Sequence, residues 1–270
     1  MKEKLYTVEV MDALNTADEC PCCYLERKIE QDTISFVLGA SYMESDIREE
    51  TDRMGFCRHH MKMMYDYGNS LGNAWILKTR LEYVRRQFHD QAVRAGEAKG
   101  QGSRISKILG GSRTGGSLWP GRRRGPARSV PSGAADGQLS QLSDSSCYVC
   151  ERFEEAYGRI LKTFLHLMRT EPEFLDRLKA SKGFCLPHFA DIMAAYTEQA
   201  SEKERQTVVP ALYQMMEENL ERIQKDIDWF IDKFDHRNRD ADWRDSKDAV
   251  PRTMQKLAGA YPADPVFRQR

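Results

Sequence analysis

The stretches GFCRHH at residues 55–60 and GFCLPH at residues 183–188 are two copies of one motif, Gly-Phe-Cys-x-x-His, in a chain of 270 residues. A Cys-x-x-Cys pair precedes each copy, within CPCC at residues 20–23 and as CYVC at residues 147–150. The gap between the two pairs is 33 residues in the first half and 34 in the second. Two matching registers of this kind indicate an internal duplication.

Each half of the chain contains the ligand types of a zinc site. Three cysteines and one histidine are a common structural zinc set, and a two-residue gap lets both side chains of a pair reach one ion. A thiolate in the first turn of a helix is stabilised by the helix dipole and the free backbone N–H groups. The sequence predicts two zinc ions, one in each half, with these candidate ligands: Cys20, Cys23, Cys57 and His60 in the first half, and Cys147, Cys150, Cys185 and His188 in the second.

Three other interpretations of the cysteines stay open. An iron–sulfur cluster accepts the same ligand types. A redox-active Cys-x-x-Cys is a second alternative, although the βαβ pattern around thioredoxin-like motifs is missing here. Buried, inert cysteines are the third, which explains one pair better than four pairs in matching registers. A site with four protein ligands has no open position, which favours a structural role over a catalytic one.

Two further residues lie beside the candidate ligands of the first half. Cys22 and His59 are adjacent to them in sequence, but the second copy has Val149 and Pro187 at the aligned positions. We therefore expect neither Cys22 nor His59 to be a primary ligand. A resolving thiol is an alternative role for Cys22.

The apolar residues recur every three or four positions, which is typical of amphipathic helices. No segment shows the alternation of several strands. The predicted fold class is all-α, with two duplicated helical halves packed as a pseudo-twofold helical bundle. The longest predicted helices span residues 58–95 and 206–235 and pack together. Residues 1–19 are predicted to be extended or loosely ordered.

The composition divides the chain into three segments. Residues 1–95 form the N-terminal half with the first Cys3His site, and residues 147–270 form the C-terminal half with the second site and a polar tail. Residues 96–146 are rich in Gly, Ser and Arg, and are predicted to be a flexible linker. The run Arg122-Arg123-Arg124 is a weak hint of nucleic-acid contact, against the simpler interpretation of a solvated loop. A local reading-frame error over about residues 100–143 is another alternative.

Composition and motifs also limit the class of function. The 41 basic and 41 acidic residues balance, which argues against a nucleic-acid or membrane-surface binder. There is no run of 18 apolar residues and no signal peptide at the N-terminus, so a cytoplasmic protein is expected. Structural disulfides are rare in that compartment, which leaves metal binding or redox chemistry for the seven cysteines. Nucleotide-binding and hydrolase motifs are missing, and the sequence favours a protein that is not an enzyme.

Several short motifs resemble a known family. They are the two Gly-Phe-Cys-x-x-His copies, the Cys-x-x-Cys pairs, Ser41-Tyr42-Met43-Glu44, Asp46-Ile47-Arg48 and the Lys-Phe-Asp-x-Arg-Asn tail at residues 233–238. Together they resemble a bacterial family known as domain of unknown function 6062, over nearly the whole chain except about residues 100–143. Its members are sometimes automatically named ABC-transporter substrate-binding proteins. That label fits poorly, because the chain shows no export signal. The resemblance implies no activity.

The sequence thus predicts a non-enzymatic interaction or regulatory protein with two structural zinc sites and a protein partner of unknown identity. The first alternative is a redox-responsive switch, in which oxidation of zinc-bound thiolates releases the metal. The second is an iron–sulfur electron-transfer protein.

Overall fold

The computed structural model describes residues 3–16, 18–98 and 147–260. These residues form ten α-helices, three short 3₁₀ helices and no strand, which confirms the all-α fold class. The α-helices are α1 Glu3–Leu14, α2 Pro21–Gly39, α3 Ser45–Met54, α4 Arg58–Tyr67, α5 Ser70–Ala98, α6 Tyr148–Thr170, α7 Pro172–Lys179, α8 Leu186–Gln199, α9 Glu202–Asp232 and α10 Ala249–Ala258. The 3₁₀ helices are Ser41–Met43, His236–Asn238 and Arg244–Ser246. No helix in the described ranges combines the length and apolarity that a membrane span needs.

The chain divides into two compact units that are nested in sequence. The outer unit combines Met1–Glu30 with Phe153–Arg270, and the inner unit is Gln31–Arg152. The boundaries fall within α2 and α6. This division differs from the two consecutive halves that the repeat suggested. Most of the predicted linker, residues 99–146, lies outside the described residues.

The core of the outer unit is built from apolar faces of α1, the first part of α2, α6, α7, α8 and α9. Phe164 contacts the rings of Phe174 and Phe184 edge-on, with ring centroids 5.2 Å and 5.7 Å apart. Such edge-to-face pairs add about 0.5–1.5 kcal/mol to the stabilisation from burial. Phe184, the Phe of the second Gly-Phe-Cys motif, is therefore an anchor of this core.

The prediction that residues 1–19 are extended or loosely ordered is wrong. Residues Glu3–Leu14 form α1, and Val10 and Ala13 on this helix are fully buried in the outer core. The apolar signal was weak because Tyr6, Val10 and Ala13 are separated by acidic residues. Tertiary packing of one narrow apolar face outweighs that weak local pattern.

The predicted helix 58–95 is two helices, α4 and α5. Gly68 ends α4 in the left-handed region, with φ of +86°. The side chain of Asn69 then accepts a hydrogen bond from the N–H of Gly72 at 2.9 Å, which caps the start of α5. Apolar periodicity continued across this turn, so it gave no sign of the break.

The long helix near the C-terminus begins earlier than predicted. A capping box at Ser201 and Glu204 starts α9 at Glu202, and Pro210 lies within the helix. In the inner unit, α3 packs against α5, where the Thr79 hydroxyl donates to Asp52 Oδ1 at 2.7 Å. Gly55, with φ of +68°, ends α3.

Candidate metal centres

The structure brings the eight predicted ligand residues into two groups of four. Within each group, one ligand atom from every residue lies within 4.8 Å of the others. The outer site, which belongs to the outer unit, is Cys20, Cys23, Cys185 and His188. The inner site, which belongs to the inner unit, is Cys57, His60, Cys147 and Cys150.

The predicted pairing of these residues within each half is wrong. Each site takes its Cys-x-x-Cys pair from one half of the chain and its Cys-x-x-His pair from the other. Helix lengths explain the difference. At 1.5 Å per residue, α2 is about 28 Å long whereas α3 is about 15 Å, and α6 is about 34 Å long whereas α7 is about 12 Å. Pairing within a half would require the short helix to lead the chain back along the full length of the long one, and it is too short to do so.

All four ligand pairs share one backbone arrangement at the start of a helix. The carbonyl of the first cysteine accepts the first helical hydrogen bond, from Tyr24 to Cys20 at 3.3 Å, Met61 to Cys57 at 2.9 Å, Glu151 to Cys147 at 3.0 Å and Phe189 to Cys185 at 2.9 Å. The first cysteine is thus the N-cap residue and the second ligand is the third helical residue. Residues at these two positions face the same point, as in a capping box. Each site therefore receives the N-termini of two helices, whose positive dipole ends favour thiolates.

The two Cys-x-x-His turns have nearly the same backbone conformation. Cys57 has φ of −73° and ψ of 166°, and Cys185 has φ of −72° and ψ of 159°. The preceding glycines, Gly55 and Gly183, both lie in the left-handed region, with φ of +68° and +70°. A side chain is strained in that region, so glycine two residues before each ligand makes the sharp turn into the helix possible.

The outer site is completely buried. His188 Nδ1 lies 3.0 Å from Cys185 Sγ and 3.5 Å from the sulfurs of both Cys20 and Cys23. The sulfurs of Cys23 and Cys185 are 3.7 Å apart. The other ring nitrogen, Nε2, lies 3.3 Å from a carboxylate oxygen of Glu26. A carboxylate at this position orients a metal-binding histidine and fixes its tautomer.

The inner site has the same atoms but is partly exposed at Cys57 and Cys150. His60 Nδ1 lies 3.2 Å from the sulfurs of Cys57 and Cys147 and 3.5 Å from that of Cys150. The sulfurs of Cys57 and Cys150 are 3.9 Å apart. The two sites therefore differ in solvent access more than in geometry.

These separations match the edges of a tetrahedron around one ion. With Zn–S bonds of about 2.3 Å and Zn–N bonds of about 2.0 Å, tetrahedral geometry places sulfurs about 3.8 Å apart, and sulfur and nitrogen about 3.5 Å apart. The observed sulfur–nitrogen distances are 3.0–3.5 Å, equal to this value or shorter. The observed sulfur–sulfur distances of 3.7 Å and 3.9 Å agree closely. They are far longer than a disulfide bond of about 2.05 Å, and all seven cysteines are free.

The thiols within each site share their protons unequally. In the inner site, hydrogen bonding from Cys150 lowers the pKa of Cys147 to about 3, and the same contact raises the pKa of Cys150. In the outer site, burial opposes ionisation of Cys20, but hydrogen bonds from Cys185 and its neighbours hold the pKa of Cys20 well below its usual value. The pKa of Cys185 is raised by the same contact with Cys20. One thiol of each site thus ionises at the expense of another, because two negative charges in one buried cluster repel each other.

Cys22 and His59, which lie beside candidate ligands in the sequence, are outside both groups of four. Cys22 is buried, and its pKa is raised mainly by its hydrogen bond to Cys20 and by burial. His59 is exposed, and its ring centroid lies 5.0 Å from that of His60. The grouping agrees with the choice of Cys20, Cys23 and His60 that the second copy of the repeat indicated.

A buried lysine near the outer site is a feature that the sequence did not reveal. Lys256 on α10 is 0% exposed, and its Nζ donates to the carbonyl oxygens of Glu19 at 2.8 Å and Lys182 at 2.6 Å. Glu19 immediately precedes Cys20, and Lys182 lies three residues before Cys185. Lys256 therefore connects the two chain segments that carry the ligands of the outer site.

Further contacts attach α9 and the residue Ala260, just after α10, to the outer site. Arg222 on α9 donates to the Glu19 carboxylate at 3.1 Å, and the N–H of Ala260 lies 3.4 Å from Cys23 Sγ. The apolar residues Met254 and Leu257 of α10 are exposed. The buried face of α10 is mostly polar instead, which an apolar periodicity search does not detect.

Comparison with protein families places the chain in one of them. A family model described as "Family of unknown function (DUF6062)" matches residues 1–264. The chain belongs to the DUF6062 family. Comparison with curated proteins and with solved structures gave no match. The DUF6062 match spans all eight residues of the two sites and confirms the resemblance seen in the short motifs.

Proposed function

We propose that each site holds one structural zinc ion, so that the protein carries two. The observation that supports this most directly is the convergence of four helix N-termini in two places. The outer site joins residues as far apart as Cys20 and His188, and the inner site joins Cys57 and Cys150. Four soft or borderline ligands at tetrahedral distances suit zinc. Three thiolates neutralise the charge of one zinc dication and leave the site with a net charge of −1.

The role of such an ion is to hold together, within each unit, two helix N-termini that are distant in sequence. Structural zinc contributes its binding free energy directly to folding, about 10–16 kcal/mol in small zinc domains at neutral pH. The second helix N-terminus and the Glu26–His188 contact support the ligand geometry of the outer site. Four protein ligands leave no coordination position for a substrate, so we propose a non-enzymatic interaction or regulatory protein. Reduced, metal-bound cysteines fit the cytoplasm.

Metal analysis of anaerobically purified protein tests this proposal. We expect two zinc ions per chain by elemental analysis and by native mass spectrometry. Cys185→Ser should remove one ion, whereas Cys22→Ser, at a buried cysteine outside both groups, should retain two. Iron with visible absorbance, or unchanged zinc and melting temperature in Cys185→Ser, would refute the proposed sites.

The exposure of the inner site favours a redox-responsive switch as a second candidate function. Cys57 and Cys150 are partly exposed, and their sulfurs are 3.9 Å apart. With hydrogen peroxide as oxidant, the two thiolates would form one disulfide while peroxide takes up two electrons and two protons and gives two waters, and the zinc would be released. A peroxide titration with a zinc-sensitive dye should then release one zinc faster than the other, and Cys57→Ser should abolish the fast phase. Release of both ions at one rate, or of neither, would eliminate this candidate.

The distances also bear on the iron–sulfur alternative. A cluster binds its protein ligands through different iron atoms, which separates them more widely than the ligands of a single ion. All four ligand atoms of each site lie within 4.8 Å of one another, and this supports a mononuclear metal.

A further inference from the structure

An apolar groove runs between α8 and α9 in the outer unit. Its volume is about 730 Å³. Leu186, Phe189 and Met193 of α8 line one wall, and Tyr213, Met216 and Leu220 of α9 line the other. The rings of Phe189 and Tyr213 meet edge-on at 5.2 Å, which joins the two walls at one end.

The groove residues on α9 are spaced like those on a helix surface against which another helix packs. On α9, Tyr213, Met216, Leu220 and Gln224 are separated by three, four and four residues, and they form one continuous ridge. This ridge is about 16 Å long at 1.5 Å per residue, which corresponds to three turns of an α-helix. A helix with apolar residues at positions i, i+3 or i+4, and i+7 matches that length.

Large apolar side chains of the groove face solvent. Tyr213 is 57% exposed, Leu186 39% and Leu220 36%. Exposed apolar surface of this kind is characteristic of interaction sites. Phe189, Met193 and Met216, which also line the groove, are buried, at 9%, 9% and 3% exposed. The three exposed side chains would become buried if a helix occupied the groove.

The charges at the groove define the chemistry of its occupant. Glu217 and Glu221 are the two charged residues that line it, and both are acidic. Glu221 pairs with Lys225 at 2.8 Å on the same helix, whereas Glu217 makes no ion pair within the described ranges. We propose that this groove binds a basic amphipathic helix of a partner protein, with Lys or Arg beside its apolar stripe. This inference rests on the proposed interaction role and gives it a surface and a class of partner.

The groove is also connected to the outer metal site. Leu186 directly follows Cys185, and Met216 Sδ accepts a hydrogen bond from the N–H of Phe184 at 3.3 Å. The turn that presents Cys185 therefore contributes to one wall of the groove and contacts the other. Removal of the outer metal should weaken helix binding by disordering this turn.

Binding of designed peptides tests the proposal. The probe is a fluorescein-labelled 16-residue Ala-based helical peptide with Leu at positions 4, 7, 8 and 11 and Lys beside this stripe; the control peptide has Glu in place of Lys. We expect saturable anisotropy with the Lys peptide and at least roughly tenfold weaker binding of the Glu peptide. Leu220→Glu should weaken binding of the Lys peptide at least roughly tenfold. Ile231→Glu is the matched control, since Ile231 is 63% exposed on the same helix but lies outside the groove.

Charge reversal gives a second test that a merely destabilised protein would not pass. Glu217→Lys/Glu221→Lys should invert the preference, so that the Glu peptide binds more tightly than the Lys peptide. Absence of saturable binding, or equal effects of Leu220→Glu and Ile231→Glu, would overturn the proposal. A dimer in sedimentation that Leu220→Glu dissociates would also overturn it, because a second copy would then be the occupant. Zinc content measured on the same samples separates failure of the groove from failure of the metal sites.

Discussion

Double cysteine substitutions should show which cysteine pairs bind the same ion. In the structure, Cys23 and Cys185 belong to the outer site, whereas Cys57 belongs to the inner site. We expect Cys23→Ser/Cys185→Ser to retain one zinc per chain, because both changes affect the same site. Cys23→Ser/Cys57→Ser should retain none, because it affects both.

The effects on stability should follow the same grouping. A structural zinc site contributes about 10–16 kcal/mol in small domains, which is comparable to the total stability of an ordinary protein, about 5–15 kcal/mol. Loss of the outer ion should therefore unfold much of the outer unit. Once Cys23→Ser has removed that ion, Cys185→Ser should add little further loss, so the two changes should be strongly non-additive. Cys23→Ser and Cys57→Ser should instead act on separate units.

Native mass spectrometry counts the zinc ions, and circular dichroism during heating reports the loss of helices. The Cys22→Ser variant is the control for removal of a buried thiol. Pairing within each half predicts the opposite result, with no zinc in Cys23→Ser/Cys185→Ser and one zinc in Cys23→Ser/Cys57→Ser. That outcome would refute the crossed arrangement even if the variants are partly unfolded, because it depends on stoichiometry alone.

Three further predictions concern stability. Lys256→Met should lower the free energy of unfolding in urea by about 3–5 kcal/mol, since it removes one partner of a buried charged network, whereas the exposed Lys247→Met should change it by less than about 0.5 kcal/mol. Gly183→Ala should cost more than Gly68→Ala in thermal unfolding: both have positive φ, but only at Gly183 does a new Cβ meet a side chain, at 3.0 Å. Hydrogen bonds from Ser201 and Arg169 lower the pKa of Glu204 to about 2. Glu204→Gln should therefore be less stable than the native chain above about pH 4.5, and the difference should vanish as the pH falls toward 2. A stability difference that does not change with pH would contradict this.

The local chemistry of the sites was predictable from sequence. Cys-x-x-Cys and Cys-x-x-His place two ligands in the first turn of a helix, which was expected from the two-residue spacing. The internal repeat also indicated which of two adjacent residues is the ligand: His60 rather than His59, and Cys23 rather than Cys22. These inferences depend on residues close in sequence, whose geometry is set by one turn of backbone.

The pairing of the motifs could not be predicted in the same way. Similar gaps of 33 and 34 residues suit pairing within each half or across halves, and the choice depends on where the helices end. The boundary at Gly68 was hidden because apolar residues continue on both sides of it. Lys256 was missed because a buried lysine is recognised by its carbonyl partners, which lie far away in sequence.

The nesting of the two sites fixes the order in which a growing chain can complete them. The ligands of the inner site are all present once residue 150 has been synthesised, whereas Cys20 and Cys23 must await residues 185–188. During that interval the first cysteine pair is a two-ligand fragment at the start of α2, open to oxidation or to the wrong metal partner. A released chain that ends between residues 151 and 184 would therefore contain all four ligand residues of one metal site, the inner one.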